Sequence, residues 1–313
     1  MPGATEVLDL VASKTWSALQ TKQDINGLFR QVISAQATLL QLVAIASLSF
    51  CPGLFEVLQC PTPSSLSWFE ALPTVLVGTW GIYCLVLKKH GWIPLLYIGS
   101  GTAEKEGVKA RFGEYDRGVH LPKYIEMAPK DGYSIVHKGI LVSCSIPSAA
   151  NIPKIRILLV AIEAAFSFMF WTMKSRTKDY GCVDLCPWDR DRLEWHGLCS
   201  HNPLHEDVSG NFDLSAEQLE AIAAEVKEKN RVYQAEYGAA QRARSPERVR
   251  TLQRKKNKTF RPKQKQKDKD AKAAKKFHCA ICNVSGRNAH DMKRHNATKR
   301  HLKEVAESSS RST

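Results

Sequence analysis

An uninterrupted apolar run of membrane-spanning length is missing from these 313 residues. A bilayer span needs about 20 mostly apolar residues in a row. Residues 38–50 are nearly uncharged but only thirteen long. Residues 157–171 are interrupted by Glu163 and preceded by Lys154 and Arg156. A lone acid is unfavourable in lipid, so both stretches read as buried helices and no membrane partner is expected. A leader is not expected either: the first ten residues are polar and mixed, without a basic start and an apolar core. The nine cysteines are odd in number and irregularly spaced, which argues against a disulfide framework. Free or metal-bound thiols in an intracellular protein are the expectation. Acidic charge is scarce: 31 Asp and Glu stand against 45 Lys and Arg, a net charge of +14. Such an excess points to a polyanion, nucleic acid ahead of an anionic membrane. Residues 251–276 hold twelve Lys and Arg against two Asp, +10 of that +14, so the excess belongs mostly to one segment.

What is present divides the chain. Residues 1–75 read as a helical N-terminal extension, broken late by Pro52, Pro61 and Pro63. Residues 76–212 carry strand-like runs and then the long apolar stretch around Glu163. Residues 213–243 begin with a capping box, Ser215 and Gln218. Leu219, Ile222, Val226, Tyr233 and Tyr237 follow at helical spacing, an amphipathic helix whose default is packing against the preceding domain. Residues 244–276 are basic and of low complexity, and are expected to be disordered. Residues 277–305 form a compact Cys/His module.

The most informative stretch runs from Trp80 to Tyr115. Residues 81–87 and 95–99 are short, β-branched and aromatic, and a polar break ending in Gly91 separates them, so they read as a hairpin. Residues 133–144 offer a third strand. Arg111 and Tyr115 then stand four apart, on one helical face.

The tripeptides Gly81-Ile82-Tyr83 and Tyr97-Ile98-Gly99, thirteen residues apart and followed by Arg111 and Tyr115, resemble the GIY-YIG nuclease family. The resemblance implies an α+β fold, a small three-stranded antiparallel sheet flanked by helices. It implies phosphodiester hydrolysis with one divalent ion, Mg²⁺ or Mn²⁺, held by a glutamate on a core helix, and Glu163 fits in distance and context. It gives Tyr83 the general-base role with Tyr97 as orienter, Arg111 the stabilisation of negative charge, and Tyr115 a hydrogen bond to phosphate or water. Gly81 and Gly99 would allow close backbone approach. The asparagine that family members carry soon after the glutamate has no match at the usual distance; Asn202 is the candidate if an insertion intervenes. The family spans homing, repair and mobile-element nucleases, and the resemblance does not choose among them.

Two cysteine–histidine sets remain. Cys279, Cys282, His295 and His301 follow C-x2-C-x12-H-x5-H, which suits a tetrahedral zinc closed by two thiolates on a turn and two imidazoles on one helix. The module resembles Cys2His2 fingers, more closely the matrin-like subgroup, which is associated with double-stranded RNA as well as DNA. A ββα unit folded by its zinc is expected. Cys182, Cys186, Cys199 and His201 could ligate a second zinc, but their spacing fits no common pattern, and a packed loop with buried thiols is the expectation. The sequence thus points to a nuclear DNA endonuclease with a basic linker and a zinc finger. A nucleic-acid-binding protein that keeps the fold without activity, with DNA or double-stranded RNA as ligand, stays open. The sequence does not give the oligomeric state.

Overall fold

The computed structural model describes residues 4–21, 25–74 and 78–310. The chain folds as two units, Met1–Lys227 and Glu228–Thr313. The first runs α1 (Ala4–Leu19), α2 (Gly27–Val32), α3 (Gln36–Ala46), β1 (Ser49–Phe50), α4 (Leu54–Gln59), α5 (Leu66–Glu70), β2 (Thr79–Lys88), β3 (Leu95–Gly101), α6 (Val108–Arg117), α7 (Lys123–Met127), β4 (Ser134–Ser145), α8 (Ile152–Met169) and β5 (His196–Gly197). The expected boundary between residues 75 and 76 lies outside the described residues.

The sheet has the order β1-β4-β2-β3-β5. Its middle, β4-β2-β3, is the antiparallel trio read from the sequence. Two-residue pieces make it five strands rather than three: β1 pairs antiparallel with β4, and β5 parallel with β3. They cover backbone groups that an edge strand would leave unpaired. A two-residue strand has no periodicity, which is why neither was visible in the sequence.

Strand β2 explains why the cores sit where they do. Successive side chains point to opposite faces. Trp80, Ile82, Cys84 and Val86 enter one core, against α8 and the N-terminal helices. Tyr83, Leu85 and Leu87 enter a second, with Phe112 and Tyr115 of α6 and Ile125 of α7. Burial on both faces makes the strand an almost unbroken apolar run. Helix α8 has Pro153 in its first turn, where a missing amide hydrogen costs nothing. From Ile157 to Met169 every residue of α8 is buried, Glu163 included. Val11, Phe29 and Leu39 of the first helices share its core. No helix among the described residues is long and apolar enough to cross a membrane. Apart from β5, residues 174–212 are loop and short 3-10 turns, tied down by indole hydrogen bonds from Trp188 to the Cys60 carbonyl (2.8 Å) and from Trp195 to the Phe170 carbonyl (3.0 Å).

Helix α9 (Ala216–Arg244) begins at the expected capping box: the Gln218 amide donates to Ser215 Oγ and the Ser215 amide to Gln218 Oε1. It buries no residue, and Leu219, Val226, Tyr233 and Tyr237 are exposed, so the expected packing of this stripe is not what the structure shows.

The second unit continues with α10 (Pro246–Ala273), β6 (His278–Cys279), β7 (Val284–Ser285), α11 (Ala289–Asn296) and α12 (Lys299–Ser310). Residues 244–276, expected to be disordered, are therefore mostly helical. Lys, Arg and Gln are good helix formers. Gln264 and Gln266 also hydrogen-bond Asp268 and Asp270 one turn on. Low complexity ruled out a core, and α10 has none, but it did not rule out a helix.

Candidate active site and metal centre

A cleft of about 300 Å³ opens beside β3, lined by Tyr83, Tyr97, Arg111 and Glu163. Four sequence-separated positions thus reach one hollow. Ser100, Lys123, Tyr124, Ser200, His201 and Glu206 line it as well. The topology explains the meeting. Tyr83 and Tyr97 belong to neighbouring antiparallel strands, α6 crosses their face, and α8 runs beneath β3.

Glycine shapes the strands. A Cβ at Gly99 would lie 2.6 Å from Tyr83 Oη and 2.8 Å from Tyr97 Cε1. The absence of a side chain there gives the two phenol rings their room. A Cβ at Gly81 would lie 2.2 Å from the Val142 carbonyl oxygen. Gly81 therefore serves the close approach of β4 to β2, and neither glycine lines the cleft.

Tyr83 is 1% exposed, and its hydroxyl stands 2.8 Å from that of Tyr115. Burial pushes the Tyr83 phenol well above its ordinary value, with the Tyr115 phenol adding to it. Tyr115 stands behind Tyr83 rather than in the cleft wall, because Phe112 and Tyr115 face the second core. The Tyr115 hydroxyl is thus bonded to that of Tyr83 in the structure. The Arg111 guanidinium pairs with Glu114, donates to the His120 carbonyl at 2.9 Å, and lies 4.9 Å from the centre of the Tyr115 ring.

Glu163 is 7% exposed. Burial, reinforced by the charge of Glu206, pushes its carboxyl up to about 8. Hydrogen bonds from the Ser100 hydroxyl and backbone, and the Arg111 charge, act in the opposite direction. Once ionised, as a bound cation would favour, this carboxyl is a hard oxygen donor in a polar hollow, suited to a divalent cation that keeps most of its own water.

Asn202 does not line the cleft. It is fully buried, and its Oδ1 caps a short turn by accepting from the Leu204 amide at 3.0 Å. The residue before it, His201, does line the cleft. Its Nε2 lies 3.1 Å from Glu206 Oε1 and its Nδ1 2.8 Å from Ser200 Oγ. The sequence reading missed His201 and Glu206 in this place. The one local signal was Asn-Pro, a turn marker: with the asparagine turned inward to cap, its neighbour is left facing the hollow.

The set Cys182, Cys186, Cys199 and His201 does not gather into a ligand group among the described residues. Cys199 is buried against Thr172 Oγ1 (3.3 Å) and the Ile98 carbonyl (3.4 Å). Burial pushes its thiol up to about 11, which disfavours the thiolate a zinc needs. A larger hollow, about 580 Å³ between α6 and β4, includes none of the positions the resemblance singles out.

In the second unit, Cys279, Cys282, His295 and His301 bring one ligand atom each within 4.8 Å of one another and can hold a metal ion. His301 Nδ1 is 3.5 Å from Cys279 Sγ and 3.3 Å from Cys282 Sγ. His295 Nε2 is buried without a hydrogen-bond partner, as expected of an atom meant for a metal. The histidines stand on successive helices, α11 and α12, rather than on one. Six residues along one α-helix is a rotation of about 240° net, which would aim the imidazoles apart. A break at Ala297 and Thr298 restores convergence, with Thr298 Oγ1 donating to the His295 carbonyl at 2.7 Å.

No family model, curated protein or solved structure matches this chain.

Proposed function

We propose that this protein is a metal-dependent DNA endonuclease of the GIY-YIG type. The observation that carries this reading is the convergence of Glu163, Tyr83, Tyr97 and Arg111 on one polar cleft. The residues fit a single Mg²⁺ or Mn²⁺ with Glu163 as its protein ligand. The bound ion would act as Lewis acid at the scissile phosphate and steady the leaving oxygen. Arg111, fixed by Glu114, supplies a positive charge aimed at the phosphate. Tyr83 and Tyr97 hold phosphate or water by their hydroxyls, and the Tyr83–Tyr115 pair sets the position of the inner one.

The Cys2His2 set is assigned to zinc. Tetrahedral bonds of about 2.3 Å to sulfur and 2.0 Å to nitrogen place the two donor types about 3.5 Å apart, close to the separations seen around His301. The finger and the basic helix α10 supply sequence-tolerant attachment to nucleic acid, in keeping with a nuclear protein. A catalytically silent binder, with DNA or double-stranded RNA as ligand, is favoured by a single observation. Arg111 Nη1 is already taken by Glu114 and the His120 carbonyl, so it is not free for a phosphate.

The test is incubation of purified protein with supercoiled, branched and flap DNA in Mg²⁺, with Glu163→Ala as control. Strand cleavage that needs the ion and falls at least 100-fold in the variant is the expected result. Binding that persists in EDTA, with no strand ever cut, moves the assignment to the silent binder.

A further inference from the structure

The cleft holds a histidine–glutamate pair that the family resemblance does not supply. His201 and Glu206 lie on the loop after β5, and both open onto the hollow that contains Glu163. Glu206 Oε1 lies 3.1 Å from His201 Nε2, on the far side of the ring from Nδ1. That contact selects the tautomer with hydrogen on Nε2, where the carboxylate accepts it. The lone pair then sits on Nδ1, which accepts from the Ser200 hydroxyl at 2.8 Å. A carboxylate that orients an imidazole, with the opposite nitrogen left as the acceptor, is a general-base arrangement.

The other titratable groups of the cleft suit the task less well. Tyr83 is enclosed and bonded to Tyr115, and its phenol holds its proton more firmly than an ordinary one. Glu163 is committed to the cation in the nuclease reading. Lys123 and Arg111 are donors, and Tyr97 and Tyr124 are phenols. Asn202, the residue sought next to His201, is turned away into its cap. The imidazole is also reachable: the His201 side chain is 53% exposed and that of Glu206 48%.

We propose that His201, oriented by Glu206, is the general base of the nuclease cleft. The proposal rests on the nuclease reading. In the step, a water takes the place of the Ser200 hydroxyl at His201 Nδ1, and Nδ1 takes its proton as the water's oxygen bonds to phosphorus. The bond from phosphorus to the oxygen of the departing strand breaks, and the electron pair leaves with that oxygen, which takes a proton from solvent. The imidazolium afterwards returns its proton to solvent, with Glu206 holding the ring throughout. Glu206 is a positioning residue. Its hydrogen bond to His201 also raises the pH at which the imidazole loses its proton. Ser200 and Glu206 face the ring from its own loop. Glu163 from α8, Arg111 from α6, and Lys123 and Tyr124 from α7 share the hollow.

The experiment uses the full chain with Mg²⁺, on whichever of supercoiled, branched or flap DNA the wild type cuts. His201→Gly and His201→Gln should cut about 100- to 10,000-fold more slowly, the span general-base loss produces. Added imidazoles should restore the glycine variant, more so the more basic the imidazole. Glu206→Gln should move the acidic limb of the kcat/KM profile to lower pH. Cutting by both histidine variants at the wild-type rate overturns the proposal. So does a defect that no imidazole restores while the acidic limb stays in place. Either result leaves the nuclease reading standing, because the wild type still cuts. A wild type that cuts none of the three DNAs overturns both.

Discussion

Near pH 8, the buried carboxyl group that α8 presents beside β3 makes the metal-free protein less stable than an amide would. The ordinary value for Glu163 is 4.5, and in the fold it lies at about 8. The folded state therefore holds the proton more tightly than the unfolded chain. Stability from this group is fully present below 4.5 and is lost as pH rises through that window to about 8. A tenfold difference in proton affinity between the folded and unfolded chains is worth about 1.4 kcal/mol, so the loss amounts to a few kcal/mol. Without added Mg²⁺, Glu163→Gln should melt higher than wild type near pH 8 and close to it near pH 4.5, as followed by thermal denaturation across pH. A melting difference that does not change with pH would contradict a buried, titrating acid. The same residue shows what a sequence can reveal. A single acid inside the apolar stretch 157–171 needs a compensating partner wherever it is buried, so Glu163 stood out in the sequence. His201 and Glu206 did not, because their place depends on β5 pairing with Leu95 and Leu96, a contact across about a hundred residues. Tyr115 was visible as the neighbour of Arg111, but whether it faced the cleft or the core depended on how α6 rolled against β2.

Among the elements, α10 carries the charge. Its Lys and Arg residues stand on every side, and Arg254–Lys258, Lys263–Lys267 and Lys265–Lys269 are like charges one turn apart. Each such pair destabilises a helix by about 0.2–0.5 kcal/mol. Pro262 adds a missing amide hydrogen inside the helix. Phosphates would relieve the repulsion. DNA should therefore raise the helical circular-dichroism signal of the chain. The logarithm of affinity should fall with the logarithm of salt concentration by about 0.9 for each phosphate neutralised. Deletion of residues 251–276 should flatten that slope, and an unchanged slope would place the contacts elsewhere. The strands were legible for a different reason. β2 and β3 are runs of β-branched and aromatic residues and β4 is rich in Ile and Val, whereas β1 and β5 have only two residues each and take their conformation from the strand beside them.

For the molecule as a whole, the two units draw on different sources of stability. The first buries a continuous apolar core from α1 to the loop after α8. The second has, by burial, little more than the two ligand cysteines inside. A module of about 30 residues cannot bury enough apolar surface to order its own chain. In the zinc reading proposed above, metal binding supplies the folding energy of residues 277–310. Removal of zinc by a strong chelator should abolish the β6–β7 pairing and the α11 fold, read as loss of amide dispersion in NMR spectra or as rapid proteolysis near Cys279. The melting of the first unit should stay within a degree or so. Cys282→Ser should reproduce the chelator's effect at any zinc concentration. On the proposed nuclease reading, chelation should also leave Mg²⁺-dependent cutting of short DNA intact once Mg²⁺ is restored in excess, because the cleft is lined by residues of the first unit. Collapse of both units together would contradict a metal-supplied fold confined to residues 277–310.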